Sequence, residues 1–255
     1  MIARGYGLDG LPDPAVTDYV NIAVYSTGIL VNGAGKVAAL GRTPPSVGTG
    51  WQVVWLDGTG HLDTSVNANG SSSDATPDTL LAGTYDRDSL YAIGSGDVVF
   101  RLLCAGGGYD ASFGANGRVS FPGSAGLNSA RIDSKGRLIV GGLGGAGAFV
   151  GRVARGQLDK SFATQGYTSY GPNVTSGGTI TLGPDDKVLQ LANLTDGAGN
   201  HCAVVRRLED GTLDPSFGQA GVATLPVLDC GATDLTTTSD GKLLLGGPKT
   251  LRIWL

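Results

Sequence analysis

The sequence predicts an all-β fold, a five-bladed β-propeller in one domain spanning residues 1–255. Three observations predict it: a short phrase that recurs about every 50 residues, four short apolar runs in each recurrence, and a composition rich in turn formers and poor in helix formers. The phrase is clearest as Leu213-Asp214-Pro215-Ser216-Phe217-Gly218. It returns as Leu158-Asp159-Lys160-Ser161-Phe162, Tyr109-Asp110-Ala111-Ser112-Phe113-Gly114 and Leu62-Asp63-Thr64-Ser65-Val66, and more faintly as Pro12-Asp13-Pro14-Ala15-Val16. The aspartates at 13, 63, 110, 159 and 214 are therefore spaced by 50, 47, 49 and 55 residues. Of the 22 acidic residues only Glu209 is glutamate, and glycine numbers 44. Aspartate and glycine favour turns, whereas glutamate is a good helix former.

Each unit reads as four strands. The first precedes a turn, as in Ala130-Arg131-Ile132 or Gly178 to Leu182. The second follows a glycine or aspartate and, in most units, a basic residue: Gly35-Lys36-Val37-Ala38-Ala39-Leu40-Gly41, Asp88 to Gly94 without the basic residue, Gly136-Arg137-Leu138-Ile139-Val140, Asp186-Lys187-Val188-Leu189-Gln190-Leu191 and Gly241-Lys242-Leu243-Leu244-Leu245. Short apolar runs bounded by Gly and Asp read as buried strands. Third strands are expected at Trp51 to Leu56, Val98 to Leu103, Phe149 to Ala154, Ala203 to Leu208 and Thr250 to Leu255. The aspartate phrase and a short fourth strand follow, as in Arg118 to Phe121 or Val222 to Leu225. The C-terminus stops in a third strand, and joining the two ends restores a spacing of about one repeat. Residues 13–20 are thus expected to supply the missing fourth strand and close the ring, which would remove exposed sheet edges. Residues 1–12 form the approach to that closure, with an arm to spare.

The recurring residues have structural roles. Asp13, Asp63, Asp110, Asp159 and Asp214 accept backbone N–H bonds two residues on, and the glycine that ends the phrase takes positive φ. Phe113, Phe162 and Phe217 pack between blades, with Val16 and Val66 as smaller fillers. A ring of calcium ligands is the alternative for the aspartates, but each phrase carries one carboxylate without an acidic neighbour in loop register. No metal or cofactor is expected.

The pattern Gly-Lys-Leu-Leu-Leu-Gly-Gly at 241–247, and Val204-Val205-Arg206-Arg207-Leu208 leading into Asp210-Gly211 and the aspartate phrase, resembles the delta-60 repeat of bacterial proteins. The likeness is strong over 203–221 and 241–247, good over 109–166 and degenerate before residue 100. It implies a propeller-like unit and surface roles, and brings no catalytic motif to transfer. The opening Met1-Ile2-Ala3-Arg4-Gly5-Tyr6-Gly7 is similar to the start of short proteins encoded in phage structural-gene clusters.

Composition excludes several function classes. A net charge of −4, with six lysines and twelve arginines scattered, provides no basic stripe for nucleic acid. No apolar run is long enough to span a membrane, and the first twenty residues lack the apolar stretch of a secretory leader. Cys104, Cys202 and Cys230 are too few and too irregular for a disulfide framework, so buried thiols are expected. Gly142 to Gly147 and Gly5 to Gly10 both spell G-x-G-x-x-G, but a dinucleotide site needs a helix after the glycines, and residues 148–154 read as a strand. His61 and His201 read as exposed loop histidines, with no zinc or nucleophile motif beside them.

The expected function is accordingly non-enzymatic. It is a structural or attachment propeller, most specifically a tailed-phage virion component (tail, fibre or capsid-associated) that binds other structural proteins of an assembly or a host surface. A bacterial surface or exported propeller that binds carbohydrate or protein, reaching the outside by a non-classical route, is the second reading. A glycoside hydrolase is the third. It would draw on acids outside the repeat pattern, Asp74, Asp78, Asp97, Asp229 and Asp234, with Glu209 a poor general acid because it occupies a repeat position. Partner contacts are expected from the N-terminal residues Ile2, Arg4 and Tyr6, and from an aromatic patch of Trp51 and Trp55. For the two tryptophans core packing is the first reading, and the sugar- or partner-binding patch is its alternative.

Overall fold

The computed structural model describes residues 25–43, 50–76, 79–171, 173–196, 199–228, 232–247 and 251–254. Asp13, Val16, Ile2, Arg4, Tyr6, Asp78, Asp229 and the expected closing strand lie outside them. The described residues build five antiparallel sheets and no α-helix. The first sheet orders β1 (Tyr25–Val31), β2 (Val37–Arg42), β3 (Trp51–Leu56) and β4 (Ser71–Asp74). The second orders β5 (Leu80–Asp86), β6 (Ser89–Gly94), β7 (Val98–Leu103) and β8 (Arg118–Ser120). In the third, β9 (Ser124–Ile132), β10 (Leu138–Gly144) and β11 (Gly147–Ala154) run side by side, and both β12 (Gln157–Leu158) and β13 (Tyr167–Tyr170) pair with β11. The fourth orders β14 (Val174–Leu182), β15 (Val188–Asp196), β16 (Gly199–Arg207) and β17 (Val222–Leu228). The fifth holds β18 (Asp234–Thr237), β19 (Lys242–Gly246) and β20 (Leu251–Trp254). The chain divides into two compact units, residues 1–111 with 116–118 and residues 112–115 with 119–255.

Strand order follows chain order in these meanders because the first three strands of each sheet are joined by short turns or loops, and two-residue hairpins such as Arg87-Asp88 leave no room for a crossover; the longer links 57–70, 104–117 and 208–221, which carry the aspartate phrase, lead on to β4, β8 and β17. The second strand of each sheet lies between two neighbours, which explains its largely apolar character; all six residues of β6 are buried. Gly142 to Gly147 is the β10–β11 hairpin, closed by the Gly144–Gly147 pair, with a strand and no helix after it. In the first unit the core gathers Leu40, Trp51, Trp55, Leu80, Leu90 and Phe100. In the second, Leu191, Val204, Phe217, Leu235 and Leu243 form one cluster and Ile139, Val150, Phe162, Ile180 and Val188 another.

The aspartate phrase is a hydrogen-bonded turn. Asp159 Oδ1 accepts the Ser161 N–H at 3.1 Å and the Ser161 hydroxyl at 2.7 Å, and Asp214 does the same with Ser216 at 3.0 and 2.6 Å. Asp63 repeats the arrangement with Ser65. The second carboxylate oxygen takes a cation: Lys36 on Asp63 at 2.6 Å, Arg101 on Asp110 at 3.1 Å, Arg152 on Asp159 at 2.7 Å, and both Arg206 and Lys187 on Asp214 at 2.9 and 3.0 Å. Phe113, Phe162 and Phe217 are buried, as is Val66. The guanidinium of Arg152 stacks on Phe162 at 4.8 Å from the ring centre, and that of Arg206 on Phe217 at 4.3 Å.

The end of the phrase carries a testable strain. Gly114 and Gly218 take φ of +58° and +53°, and the equivalent residue after Phe162 is Ala163, at φ +48°. A left-handed L-residue costs about 1–2 kcal/mol, against about 0.4–1 kcal/mol for the extra freedom glycine gives the unfolded chain. Ala163→Gly is therefore expected to stabilise the protein by about 0.5 kcal/mol or more in urea titration. A lower midpoint would count against the strain.

Two expectations about individual residues are corrected here. Cys202 is buried and disulfide-bonded rather than a thiol, while Cys104 is a free, partly buried thiol whose pKa burial pushes up. His61 is exposed in a turn, but His201 is part of β16 and partly buried, not a loop histidine.

Candidate functional site

The repeats can be superimposed through their backbone bonds. Trp55, Arg101, Arg152 and Arg206 each donate their N–H to a glycine carbonyl, Gly70, Gly117, Gly166 and Gly221, and each accepts the N–H of the repeat aspartate with its own carbonyl. The positions counted from these bonds show where a unit departs from the pattern. Trp55 stands where the other three carry the arginine that grips the aspartate, so Lys36 holds Asp63 instead. For Trp51 and Trp55 the structure selects core packing over the partner patch. They are 2% exposed and pack inside with Leu40 and Phe100, because residues four apart in a strand share a face and that face of β3 is the core face. Trp55 Nε1 donates to the Ser72 hydroxyl at 2.9 Å, satisfying its buried N–H.

Three further departures converge. Four residues after the acceptor glycine stand Asp74, Phe121, Tyr170 and Leu225; just after that glycine stand Ser71, Arg118, Tyr167 and Val222; just before the aspartate stand Leu62, Tyr109, Leu158 and Leu213. Asp74, Arg118 and Tyr109 are each more polar than the bulk of their class, and the first unit brings all three together. Trp51 lies opposite Asp74 across β3 and β4. The Tyr109 hydroxyl donates to Asp74 Oδ2 at 2.7 Å and accepts from Trp51 Nε1 at 3.2 Å and from Arg118 Nη2 at 3.0 Å. Arg118 Nη2 also reaches Asp74 Oδ2 at 3.3 Å, and the Thr76 N–H binds Asp74 Oδ1 at 3.0 Å. The guanidinium lies 5.0 Å above the Tyr109 ring and 5.1 Å above Phe100.

Burial, reinforced by donation to Asp74, pushes the Tyr109 phenol up to about 12, so it stays a neutral donor near neutral pH. The arginine and aspartate side chains remain about a third and a quarter exposed, at 35% and 26%. The cluster thus presents a fork of donors and an acceptor at the surface over an aromatic floor, which suits a ligand rich in hydroxyl or amide groups.

Among the described residues the other acids outside the repeat pattern, Asp97 and Asp234, do not converge with Asp74. Asp97 sits in the β6–β7 turn at φ +57°, and Asp234 is exposed at the start of β18. Glu209 is bound by Lys135 and by Arg137 at 2.9 Å, which hold its carboxyl below the usual range and unsuited to act as a general acid. Among the described residues no group of three His, Cys, Asp or Glu side chains is placed to hold a metal, and no helix is long and apolar enough to cross a membrane. Sequence reasoning singled out Asp74 but missed Tyr109 and Arg118. The available signal was the tyrosine that replaces leucine in one copy of the phrase.

No family model and no curated protein matches the chain. Solved structures do match it. A catalytically inactive virginiamycin B lyase from Staphylococcus aureus with quinupristin is 15% identical, with a TM-score of 0.57 over 92% of this chain and 72% of that one. The complex of KlAtg21 with the coiled-coil of AgAtg16 gives 10% identity and a TM-score of 0.52 over 89% of this chain and 65% of that one. The fold is that of a β-propeller. This corrects the expectation of a non-enzymatic protein. The lyase shows that a propeller of this kind hosts catalysis, so the missing sequence motif gives no ground for excluding it.

Proposed function

We propose that this β-propeller is an attachment module that binds a polar surface ligand through Asp74, Tyr109 and Arg118. The observation that carries the reading is the convergence of three departures from the repeat on one partly exposed cluster. The repeats that carry Leu62, Leu158 and Leu213 in place of Tyr109 build the same turn without it, so the turn itself does not require the cluster. Titration with soluble polysaccharide fragments from bacterial surfaces tests it. Wild type is expected to bind saturably, and Arg118→Ala and Asp74→Asn at least tenfold more weakly with little change in melting temperature. Equal binding by all three proteins would remove the site, and no binding by wild type would sink the reading. Mass spectrometry of the recovered ligand records whether it returns intact.

The more specific form is a component of a tailed-phage particle that contacts other particle proteins or the host surface, with a bacterial surface propeller as the second form. Support comes from the opening seven residues and the delta-60 resemblance, and Ile2, Arg4 and Tyr6 are the proposed contacts to the particle. Capsid or tail genes beside this one would support it, and an unrelated gene neighbourhood would remove it. The ring itself is proposed to close as one five-bladed domain through residues 13–20. A permutant opened at Gly145 with joined ends should then fold as well as the parent; an unfolded product would count against closure.

A further inference from the structure

A second site follows from a residue that the fourth sheet lacks. In three sheets the turn between first and second strands opens on a polar residue, Asn32, Asp133 or Thr238, whose N–H bonds the carbonyl four residues on, at 3.0, 3.0 and 2.8 Å. Its side-chain oxygen accepts the N–H of that same residue, Lys36 at 2.9 Å, Arg137 at 2.8 Å and Lys242 at 3.1 Å. The Gly183 N–H bonds the Lys187 carbonyl at 2.8 Å, which fixes Gly183 as the equivalent residue in the fourth sheet. Glycine has no side chain to fill the place. In the third sheet the same place holds the Asp133 carboxylate, which takes Arg137 Nε at 2.6 Å.

The fourth sheet has instead a pocket of about 190 Å³, lined by Gly183, Pro184, Asp185, Lys187, Leu189, Arg206 and Gly241. Its cations exceed what the turn needs. Among the described residues Asp159 is held by Arg152 and Asp63 by Lys36, whereas Asp214 carries both Arg206 and Lys187. The Lys187 side chain is 29% exposed against 14% for Arg206 and 3% for Asp214, so the lysine is the more accessible of the two cations.

We propose that this pocket binds the carboxylate group of a ligand on Lys187, in the place that the Asp133 carboxylate takes beside Arg137. Lys187 and Arg206 outnumber the buried Asp214 carboxylate that they share, and the fourth charge of the site, Asp185, lies on the solvent side. Asp185 stands exposed at the rim and opposes further negative charge, so the fit is to one carboxylate and not to a polyanion. The volume is below the roughly 300 Å³ of ordinary small-molecule pockets, which suits one acidic sugar ring or one acidic side chain. The site is independent of the Asp74 cluster.

Amide chemical shifts of residues 183–187 and 206, followed during titration with acetate, glucuronate and N-acetyl-aspartate, test it. Saturable shifts with at least one probe are expected. Glucuronate binding more tightly than acetate would point to a saccharide source, and N-acetyl-aspartate binding more tightly would point to a peptide source. Lys187→Gln should weaken the response at least tenfold, with the turn still held by Arg206. Gly183→Asp should abolish it by placing there a carboxylate like that of Asp133. That substitution is sterically mild: Gly183 has φ −92° and ψ −172°, and an added Cβ would lie 3.1 Å from Leu189 Cδ1, the end of a movable side chain. No saturable shift with any probe, or a response that survives both substitutions, would overturn the proposal.

Discussion

Phe162→Ala is expected to destabilise the protein by about 3–5 kcal/mol, the range for truncating a fully buried aromatic. Phe162 is 0% exposed and packs against Ile139, Val150, Ile180 and Val188 from two sheets of the second unit. Gly211 of the next turn comes so close that an added Cβ would stand 3.0 Å from the ring, so the site has no slack into which neighbours could collapse. The substitution also takes away the floor on which the Arg152 guanidinium lies. Denaturant titration measures the loss, and Phe217, 8% exposed, should lose less when truncated in the same way. A midpoint for Phe162→Ala within about 0.5 kcal/mol of wild type would mean that the repeated phenylalanines do not hold the sheets together.

Asp159→Ala should cost about 3 kcal/mol, because it strands Arg152 in the interior. The Arg152 side chain is 3% exposed, with Nε on Asp159 at 2.7 Å, Nη2 on the Ser161 hydroxyl at 2.9 Å and Nη1 on the Glu209 carbonyl. The estimate stays at the low end of the range because Asp159 keeps some solvent, at 14%. A double variant, Asp159→Leu with Arg152→Met, should recover much of the loss, since two apolar side chains leave no buried charge behind.

The same pair sets an acid limit. Burial pushes the Asp159 carboxyl up, but Ser161 and Arg152 outweigh it and the pKa ends below the ordinary value. Asp63 is lowered first by Lys36 and then by Ser65, and Asp214 is lowered well below the carboxylate range by Ser216 and its two cations. A depressed pKa gives stability that is complete above the unfolded value near 3.9 and is lost as pH falls through the folded one. Unfolding free energy should therefore fall steeply below about pH 4, and less steeply in Asp159→Ala. Identical slopes for the two proteins would show that this carboxylate is not coupled to folding.

Much of the fold was legible in local chemistry. The strands expected at residues 51–56 and 98–103 are β3 and β7 residue for residue, because apolar runs flanked by Gly and Asp leave few other conformations. The site was legible only in part. Asp74 could be singled out as an acid outside the repeat, but nothing near it in the chain marks Tyr109, 35 residues on, or Arg118, 44 residues on, as its partners.

What the sequence by itself determined is the repeat: the turn in which an aspartate accepts bonds from a serine two residues on, the glycine after it, and the apolar strands that follow, all set by interactions a few residues apart. The tertiary structure decided which side of each strand faces inward and which distant groups meet. It turned Trp51 and Trp55 into core, replaced the arginine of one repeat by Lys36 from another strand, set Arg118 over Tyr109 and Asp74, and left a pocket where Gly183 has no side chain. Turns and strands answer to short-range sterics and hydrogen bonds, while burial and ion pairing depend on how sheets pack, which residues far apart in the chain settle together.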